Sequence, residues 1–261
     1  MSLVERNGRV VAHEAWEEYH LLAIQAPAVA ERAHPGQFLM IQVEPSYFPL
    51  LRRPFSIHYS HDDRVEVFFK LVGTGTGLLA AKRCGDKINF IGPLGKGFTI
   101  PKEPTFGPLV LVGGGRGIAP LRFLAHELRA GGHLPVIFYG GQSKKDLPLT
   151  AYFQAEGFEL LLATEDGSLG FRGLITELLE KEIPRLNPSR LYVCGPEGMM
   201  RRISQLNQRW LIPAEFSLEA KMGCGFGVCY GCVWLIRSRE KPEWTRICQE
   251  GPVFPGEAII W

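Results

Sequence analysis

The sequence lacks an excess of charge of either sign. Its 261 residues include 29 basic and 27 acidic side chains, which leaves a formal net charge of only +2. No block of lysine and arginine stands out, whereas a nucleic-acid-binding protein usually concentrates such residues on one face. We therefore expect no nucleic-acid partner for this chain.

Long apolar runs are also missing. No stretch reaches the roughly 18 residues needed to span a bilayer, so we expect no membrane segment. Residues 1–6 lack the basic and then apolar pattern of a secretory signal. These absences predict a cytoplasmic protein, in which disulfides are uncommon. Hydrophobic residues nevertheless make up 46% of the chain, enough for two compact domains and a small additional module.

Cysteine is scarce, but four of the six cysteines lie beyond residue 223. Their spacing is Cys224-x4-Cys229-x2-Cys232, followed by Cys248, which is the plant-type ligand pattern of a [2Fe–2S] cluster. Glycines between these cysteines allow a tight loop whose amides point at the sulfurs. A structural zinc site is the alternative, although it usually shows two close cysteine pairs and only one is present. Unligated buried cysteines are a further alternative.

The rest of the chain changes character near residue 101. Short β-like segments at 9–16, 19–26, 38–43, 54–58, 64–72 and 87–91, separated by turn residues, predict an antiparallel barrel. Beyond them, strands at 109–112, 135–139, 159–164 and 190–194 alternate with helical patterns, which predicts a parallel sheet with helices on both faces. We expect three units: residues 1–100, 101–212 and 213–261.

Three segments have the composition of phosphate-binding turns. Gly113 to Pro120 lies between a predicted strand and a predicted helix, where backbone N–H groups bind pyrophosphate, but it does not satisfy G-x-G-x-x-G. Arg52 to Ile57 places guanidinium and hydroxyl groups beside an extended backbone, and Gly73 to Gly77 opens another helical stretch. A plain glycine turn or a basic strand end explains any one of them, whereas the three together are more specific.

Taken together, these motifs resemble the ferredoxin–NADP reductase superfamily. The barrel motif R-x-[YF]-[ST] matches Arg53 to Ser56, and the nucleotide-domain motifs match Gly113 to Pro120 and Cys194-Gly195-Pro196. Within the superfamily, the cysteine loop, Asp166-Gly167-Ser168 and Gly251-Pro252-Val253-Phe254 are most similar to the electron-transfer subunits of NAD-dependent (class 1B) dihydroorotate dehydrogenases. The resemblance implies a ferredoxin reductase-like fold: an FAD-binding barrel, an NAD-binding α/β domain and a C-terminal iron–sulfur module.

The resemblance also assigns residues to cofactors, FAD, NAD and a [2Fe–2S] cluster. It implies that FAD is bound by Arg53, Pro54, Phe55, Ser56, Lys70, Gly75 and Thr76. It implies that the dinucleotide is bound by Gly114, Gly115, Asp166, Cys194, Gly195 and Pro196, with Cys194 beside the nicotinamide. It implies that the metal ligands are Cys224, Cys229, Cys232 and Cys248. Arg116 departs from the family pattern, in which a smaller or apolar residue is expected in the glycine turn. It either contacts a phosphate or points to solvent.

NAD is favoured over NADP as the dinucleotide. Glu165 and Asp166 follow the third predicted strand of the α/β domain, where carboxylates would repel a 2′-phosphate and accept hydrogen bonds from a ribose hydroxyl. The alternative is that both are solvated loop charges, and Lys144 and Lys145 favour the opposite choice.

The expected function is electron transfer in pyrimidine biosynthesis. A flavin exchanges both hydride and single electrons, so FAD must stand between NAD and the cluster. No catalytic acid or base is predicted in this chain, so we expect a partner subunit to carry the oxidation of the substrate. The resemblance implies that this partner is an FMN-containing dihydroorotate dehydrogenase subunit, in a hetero-oligomer such as a heterotetramer, with the cysteine module at the subunit contact. The alternatives are the small NADH-linked flavin subunit of an electron-bifurcating transhydrogenase or another NADH–ferredoxin complex, a non-enzymatic redox sensor, and a zinc-stabilised binding module.

Overall fold

The N-terminal part of the chain forms a closed barrel. The computed structural model describes residues 3–238 and 241–261. Six strands make up the barrel: β1 (Leu3–Trp16), β2 (Tyr19–Gln25), β3 (Phe38–Gln42), β4 (Arg53–His61), β5 (Arg64–Lys70) and β6 (Lys87–Leu94). They pair antiparallel in the order β1-β2-β5-β4-β3-β6. Two short helices, α1 (Pro27–Ala30) and α2 (Thr74–Ala80), flank it.

The burial of apolar side chains explains why these segments form a barrel. Every second residue of β6 is buried, as a strand with one face toward a core requires. Apolar side chains from all six strands and α2 fill the interior, with Leu22, Leu39, Ile57, Val67, Leu79 and Phe90 all fully buried. The predicted antiparallel barrel is therefore confirmed.

The second part of the chain is a seven-stranded sheet with helices. Its strands are β7 (Leu109–Gly114), β8 (Pro135–Gly141), β9 (Glu159–Thr164), β10 (Phe171–Arg172), β11 (Arg190–Cys194), β12 (Ala214–Ser217) and β15 (Val253–Pro255). Its helices are α3 (Ala119–Ala130), α4 (Thr150–Ala155), α5 (Ile175–Leu186) and α6 (Glu197–Trp210). The order is β10-β9-β8-β7-β11-β12-β15, and all neighbours are parallel except the last pair. Strand β7 is buried along its whole length, as a central parallel strand requires.

The C-terminal segment is inserted into this sheet. It leaves after β12, forms the turns that carry three cysteines, and continues through the hairpin of β13 (Val233–Arg237) and β14 (Pro242–Arg246). A short helix, α7 (Ile247–Glu250), carries the fourth cysteine, and β15 then pairs with β12. The predicted boundary at residues 212 and 213 therefore crosses a continuous sheet.

No helix in the described ranges has both the length and the apolar character needed to cross a membrane.

A buried charge network joins the barrel to the sheet domain. The Arg122 guanidinium on α3 donates to Glu66 on β5 (2.8 Å) and to Glu156 beyond α4 (2.6 Å). His126 Nε2 lies 3.2 Å from the second Glu156 oxygen, and the Arg122 cation also lies over the Tyr59 ring. A buried charge without its partner is strongly destabilising, so this network fixes how the two lobes pack.

Replacing one carboxylate of this network tests its contribution to stability. Burial raises the pKa of Glu156, but the His126 and Arg122 contacts outweigh it and lower that pKa to about 2. At pH 7 we expect Glu156→Gln to lose about 2 kcal/mol of unfolding free energy, because Arg122 keeps Glu66 as its remaining partner. A carboxylate whose pKa is lower in the folded than in the unfolded state stabilises the fold at pH values above its unfolded-state pKa, and this stabilisation disappears as the pH falls. The loss of unfolding free energy caused by Glu156→Gln should therefore shrink below about pH 4.5.

Urea unfolding at several pH values measures this difference. The control is Glu159→Gln, since that exposed carboxylate makes only a 3.8 Å contact with Arg185 and should change little. A loss for Glu156→Gln no larger than that of the control, or one that grows with acidity below pH 4.5, would contradict the assignment.

Candidate functional site

A cavity of about 550 Å³ lies between the barrel and the sheet domain. We call it the barrel cavity. Its wall contains every residue predicted for FAD: Arg53, Pro54, Phe55, Ser56, Lys70, Gly75 and Thr76. The structure thus brings together side chains from β4, the end of β5 and the start of α2. Cys194 and the segment from Ser217 to Ala220 complete the wall on the sheet side.

The two adjacent arginines at the start of β4 have different environments. The Arg52 guanidinium is directed at β6 and donates to the Asn89 carbonyl (3.0 Å) and side-chain oxygen (2.7 Å). Arg53 lines the barrel cavity and packs against Gly75, where an added Cβ would come within 3.3 Å of the Arg53 Nε. Of these two arginines, Arg53 is therefore the one available to a ligand in this cavity.

The turn before α2 is held by its own threonine. The Thr76 hydroxyl accepts hydrogen bonds from the backbone N–H groups of Val72 (2.9 Å) and Gly73 (3.1 Å), and donates to the Gly73 carbonyl (2.9 Å). This arrangement closes residues 73–76 around one side of the cavity. Thr76 therefore shapes the backbone that a ligand would meet.

Two further cavities follow the carboxyl edge of the sheet. The junction cavity, of about 410 Å³, is lined by Tyr19, Lys70, Gly114, Gly115, Arg116, Gly117, Gly195, Pro196, Glu197, Met200, Glu219 and Trp234. The sheet-edge cavity, of about 600 Å³, shares Gly114, Gly115 and Pro196 and continues along Gly140, Gly141, Gln142, Glu165 and Thr176. Open parallel sheets bind ligands at this edge, outside the carboxyl ends of the strands.

The glycine turn packs directly on the turn that follows β11. An added Cβ on Gly117 would overlap the Cys194 carbonyl oxygen, and one on Gly114 would come within 2.9 Å of Pro196. Gly115 has a φ of +52°, a left-handed conformation that costs glycine little. The two sequence motifs predicted to bind the dinucleotide therefore form one surface, and only glycine permits that approach.

Cys194 lies at the end of β11, between the barrel and junction cavities. Its thiol is buried and lines the barrel cavity, while Gly195 and Pro196 line the junction cavity. Burial raises the pKa of Cys194 well above its usual value, and the nearby Glu219 carboxylate adds to that rise. The group is therefore a neutral thiol at physiological pH.

The structure separates the two predicted acidic residues of the third sheet-domain strand. Glu165 lines the sheet-edge cavity. Asp166 instead accepts hydrogen bonds from the backbone N–H (2.9 Å) and hydroxyl (2.6 Å) of Ser168, and lines a separate outer groove with Lys144 and Lys145. Asp166 thus lies apart from the other residues predicted for the dinucleotide.

Lys70 lines all three cavities and is held by a partner that sequence reasoning missed. Its ammonium donates to Asp146 (3.1 Å), which also accepts from the Tyr19 hydroxyl (2.9 Å). The Asp146 hydrogen bond raises the pKa of Lys70 well above its usual value. No spacing in the sequence relates β2, β5 and the segment after β8, so only the packing of the two lobes reveals this cluster.

The four predicted metal ligands form two pairs. The Cys248 backbone N–H points at the Cys232 sulfur (3.5 Å), and both thiols are buried. Cys224 and Cys229 form a second hydrogen-bonded pair on the loop. Across residues 3–238 and 241–261, no three His, Cys, Asp or Glu side chains surround a single-ion site. Two pairs are what a two-iron cluster requires, because each iron takes two cysteine sulfurs.

Backbone amides of the loop point at these sulfurs. Burial raises the pKa of Cys224, but N–H groups of Cys229, Phe226 and Val228 outweigh it and lower that pKa to about 6. The Gly231 N–H donates to the Cys229 sulfur (3.4 Å). Such donors stabilise thiolate sulfur, so the loop is suited to hold a metal–sulfur centre.

This loop, residues 223–232, rests on the barrel. Gly225 has a φ of +82° and an added Cβ there would overlap the Met40 side chain of β3. Two residues before Cys224, Met222 lines the barrel cavity. The four-cysteine segment therefore begins in the wall of the cavity that contains the predicted FAD residues.

Comparison with known proteins agrees with this geometry. Residues 219–260 match the family model described as the iron–sulfur cluster binding domain of dihydroorotate dehydrogenase B, and residues 111–205 match the oxidoreductase NAD-binding domain. The chain is 37% identical over 244 residues to the dihydroorotate dehydrogenase B (NAD+) electron transfer subunit of Desulforamulus reducens, covering 93% of this chain and 92% of that one. The chain belongs to this family of electron transfer subunits.

A second member of the family gives the same result. The electron transfer subunit of Bacillus caldolyticus is also 37% identical, over 97% of this chain and 95% of its own length. The family predicted from the barrel motif and the cysteine spacing is therefore confirmed.

Solved structures confirm the predicted fold class. A structure described as an NADH-dependent reduced ferredoxin–NADP oxidoreductase, studied for flavin-based electron bifurcation, superimposes with a TM-score of 0.87 at 27% identity, covering 98% of this chain and 91% of that one. A Neisseria gonorrhoeae ferredoxin NADP+ reductase with bound FAD and NADP superimposes with a TM-score of 0.67 at 20% identity, covering 80% of this chain and 91% of that one, which shows the shared fold.

Proposed function

We propose that this chain is the NAD-linked oxidoreductase subunit that passes electrons between a dihydroorotate-oxidising partner and NAD, through a [2Fe–2S] cluster and FAD. The observation that carries this proposal is the shared wall of the sites. Met222 lines the barrel cavity two residues before the first cluster cysteine, and Cys194 lines the same cavity where it meets the junction cavity. A cluster, a flavin and a dinucleotide placed in these sites would follow one another in that order.

The residues of the barrel cavity fit FAD. The Arg53 guanidinium is a fork of donors suited to a pyrophosphate. Phe55, which is packed edge-on against Phe69, supplies an apolar wall suited to a flat ring system. When bound, FAD supplies the exchange of hydride with a nicotinamide and of single electrons with an iron–sulfur centre. Arg53 and the 73–76 turn would orient this group, and the surrounding aromatic side chains would exclude water.

The junction and sheet-edge cavities fit the dinucleotide. Amides of Gly114 and Gly115 would meet its pyrophosphate, and the turn of Cys194, Gly195 and Pro196 would bring the nicotinamide toward the barrel cavity. The buried neutral Cys194 thiol adds no charge at that point. We favour NAD because Glu165 in the sheet-edge cavity would repel a 2′-phosphate and accept from a ribose hydroxyl. Asp166 lines the outer groove instead, and its contact with the dinucleotide stays a prediction.

The four cysteines would hold the cluster at an exposed face. Cys229 is exposed, and the side chains of Val228 and Tyr230 beside it are 73% and 60% exposed. Apolar groups around a redox centre suit contact with another protein. We propose that this loop contacts an FMN-containing dihydroorotate dehydrogenase subunit in a cytoplasmic hetero-oligomer serving pyrimidine biosynthesis. The proposed functional units are residues 1–100 for FAD, 101–212 for NAD and 213–261 for the cluster.

A second candidate is favoured by the structural similarity at 27% identity and a TM-score of 0.87. In that case the chain would be the NADH-linked flavin subunit of an electron-bifurcating complex. The higher identity to dihydroorotate dehydrogenase B subunits, 37% over nearly the whole chain, supports the first function.

Anaerobic purification with the partner distinguishes the two. We expect the isolated chain to contain FAD, iron and acid-labile sulfide, and to reduce a two-electron dye with NADH. Added to an FMN-containing dihydroorotate-oxidising subunit, it should enable NAD+-dependent oxidation of dihydroorotate. Co-purification with a larger flavin and iron–sulfur protein that reduces ferredoxin would support the second function instead. A colourless protein without flavin or iron would refute both.

A further inference from the structure

Arg116 is the one residue of the glycine turn whose side chain carries a charge. It follows Gly115, lines both the barrel and junction cavities, and its side chain is half-exposed. Its Nη2 lies 3.5 Å from an oxygen of Glu219, which lines the same two cavities from the segment between β12 and the cysteine loop. This ion pair therefore spans the opening where the two cavities meet.

The other charges of the junction cavity are already satisfied. The Lys70 ammonium is held by Asp146 at 3.1 Å and Glu18 at 3.4 Å, and Glu197 accepts from Arg201 at 2.8 Å. Arg116 and Glu219 share a single 3.5 Å contact, with side chains 51% and 54% exposed. An exposed pair of this kind stabilises the protein little, so it separates easily when a better partner arrives.

A dinucleotide is such a partner. Its pyrophosphate carries two negative charges, and a guanidinium binds phosphate oxygens with two parallel hydrogen bonds. Since Lys70 is already engaged by two carboxylates, Arg116 is the cation of the junction cavity that is free to change partner.

We propose that Arg116 is a pyrophosphate-binding residue for the dinucleotide and that Glu219 is its internal competitor. In the unliganded protein the two side chains pair across the opening, and on binding Arg116 moves from Glu219 to the pyrophosphate. This inference rests on the proposed dinucleotide site. It also gives opposite signs to the two residues: loss of Arg116 weakens binding, whereas loss of the Glu219 charge strengthens it.

Calorimetric titration of the oxidised holoprotein with NAD+ tests this proposal without turnover. We expect Arg116→Gln to raise the Kd about tenfold, because a guanidinium–phosphate contact is lost. We expect Glu219→Gln to lower the Kd about two- to fivefold, because binding no longer requires an ion pair to break. The double variant should match Arg116→Gln, since the competitor matters only while Arg116 is present.

A second ligand and a matched variant separate pyrophosphate binding from general electrostatics. ADP-ribose carries the pyrophosphate without the nicotinamide and should show the same changes as NAD+. Arg185→Gln removes an exposed arginine that is paired with Glu182 on α5 and lines none of the four cavities, so its Kd should equal that of the unaltered protein. Flavin absorbance and thermal unfolding confirm that each variant is intact.

Several outcomes would overturn the inference. An unchanged Kd in intact Arg116→Gln would remove Arg116 from the binding surface. Weaker binding in intact Glu219→Gln would make Glu219 part of that surface rather than a competitor, and additive effects in the double variant would show that the two residues act independently. By contrast, an unaltered holoprotein that binds neither NAD+ nor ADP-ribose would refute the proposed function itself.

Discussion

Cys232→Ser should abolish electron delivery to the partner while leaving reduction of a two-electron dye by NADH intact. Cys232 is buried beside Cys248, and its sulfur accepts the Cys248 backbone N–H at 3.5 Å. A serine oxygen is a poor substitute for thiolate, the ligand that iron–sulfur clusters use. The barrel and junction cavities would be unaltered, because Cys232 lines neither of them.

The measurement combines metal content with two activities. Iron and acid-labile sulfide should fall to a small fraction of the unaltered level, and NAD+-dependent dihydroorotate oxidation with the partner should fall more than about 100-fold. The control is Cys84→Ser, the same change at an exposed cysteine of the barrel lobe, which should leave both values unchanged. Full iron content in Cys232→Ser would show that this thiol is not a ligand.

Gly117→Ala should damage dinucleotide binding by forcing two backbone segments apart. The added Cβ would overlap the carbonyl oxygen of Cys194 and would lie 2.5 Å from the Gly195 Cα, so no side-chain rotation can relieve it. Overpacking of this kind typically costs about 1–3 kcal/mol. Because the displaced turn forms the wall of the junction cavity, we expect the KM for NADH to rise at least about tenfold, since a displacement of about 1 Å can cost two orders of magnitude.

The matched control is Gly77→Ala. Gly77 is inside α2, an added Cβ there meets nothing within 4 Å, and alanine favours a helix by about 1 kcal/mol. The unfolding temperature should therefore fall by several degrees for Gly117→Ala and stay level or rise for Gly77→Ala. Normal stability and normal KM in Gly117→Ala would mean that the glycine turn and the β11 turn do not touch.

Most of the fold was predictable because its signals are local. Strand β6 alternates buried and less buried residues, strands β2 and β3 are short and largely apolar, and the sheet strands β7 and β11 are short apolar runs that end in glycine or cysteine. Such patterns reflect which face of a strand is buried, and the sequence alone contains that information.

The edge of the sheet was not predictable in the same way. Strands β12 and β15 have four and three residues, too few to show a period, and they pair across 35 intervening positions of turns and hairpin. Their pairing depends on long-range register, which no local pattern specifies. The division predicted at residue 213 stays a prediction, although the sheet runs across it.

The residues of the candidate site were likewise predictable only where they are contiguous in the sequence. Contiguous motifs such as Arg53 to Ser56 and Gly114 to Gly115 line the predicted cavities, because each motif is one short continuous stretch of backbone. Lys70 of the barrel and Asp146 of the sheet domain are brought together only by folding, and no pattern in the sequence relates them. Glu165 and Asp166 are adjacent, and only the hydrogen bonds from Ser168 distinguish the one that faces the outer groove.

The position of the cysteine segment has a consequence for cofactor loading. The segment leaves the sheet at Ser217 and returns at Val253, and these two residues are direct neighbours across the β12–β15 pairing. The entropy cost of closing a flexible loop is the cost of bringing its two ends together, and here the β12–β15 pairing already holds those ends side by side. Emptying the segment of metal therefore leaves its anchor points in place. The cysteine segment stays tethered to the sheet at both ends, so we expect the apoprotein to take up a cluster without refolding of the sheet.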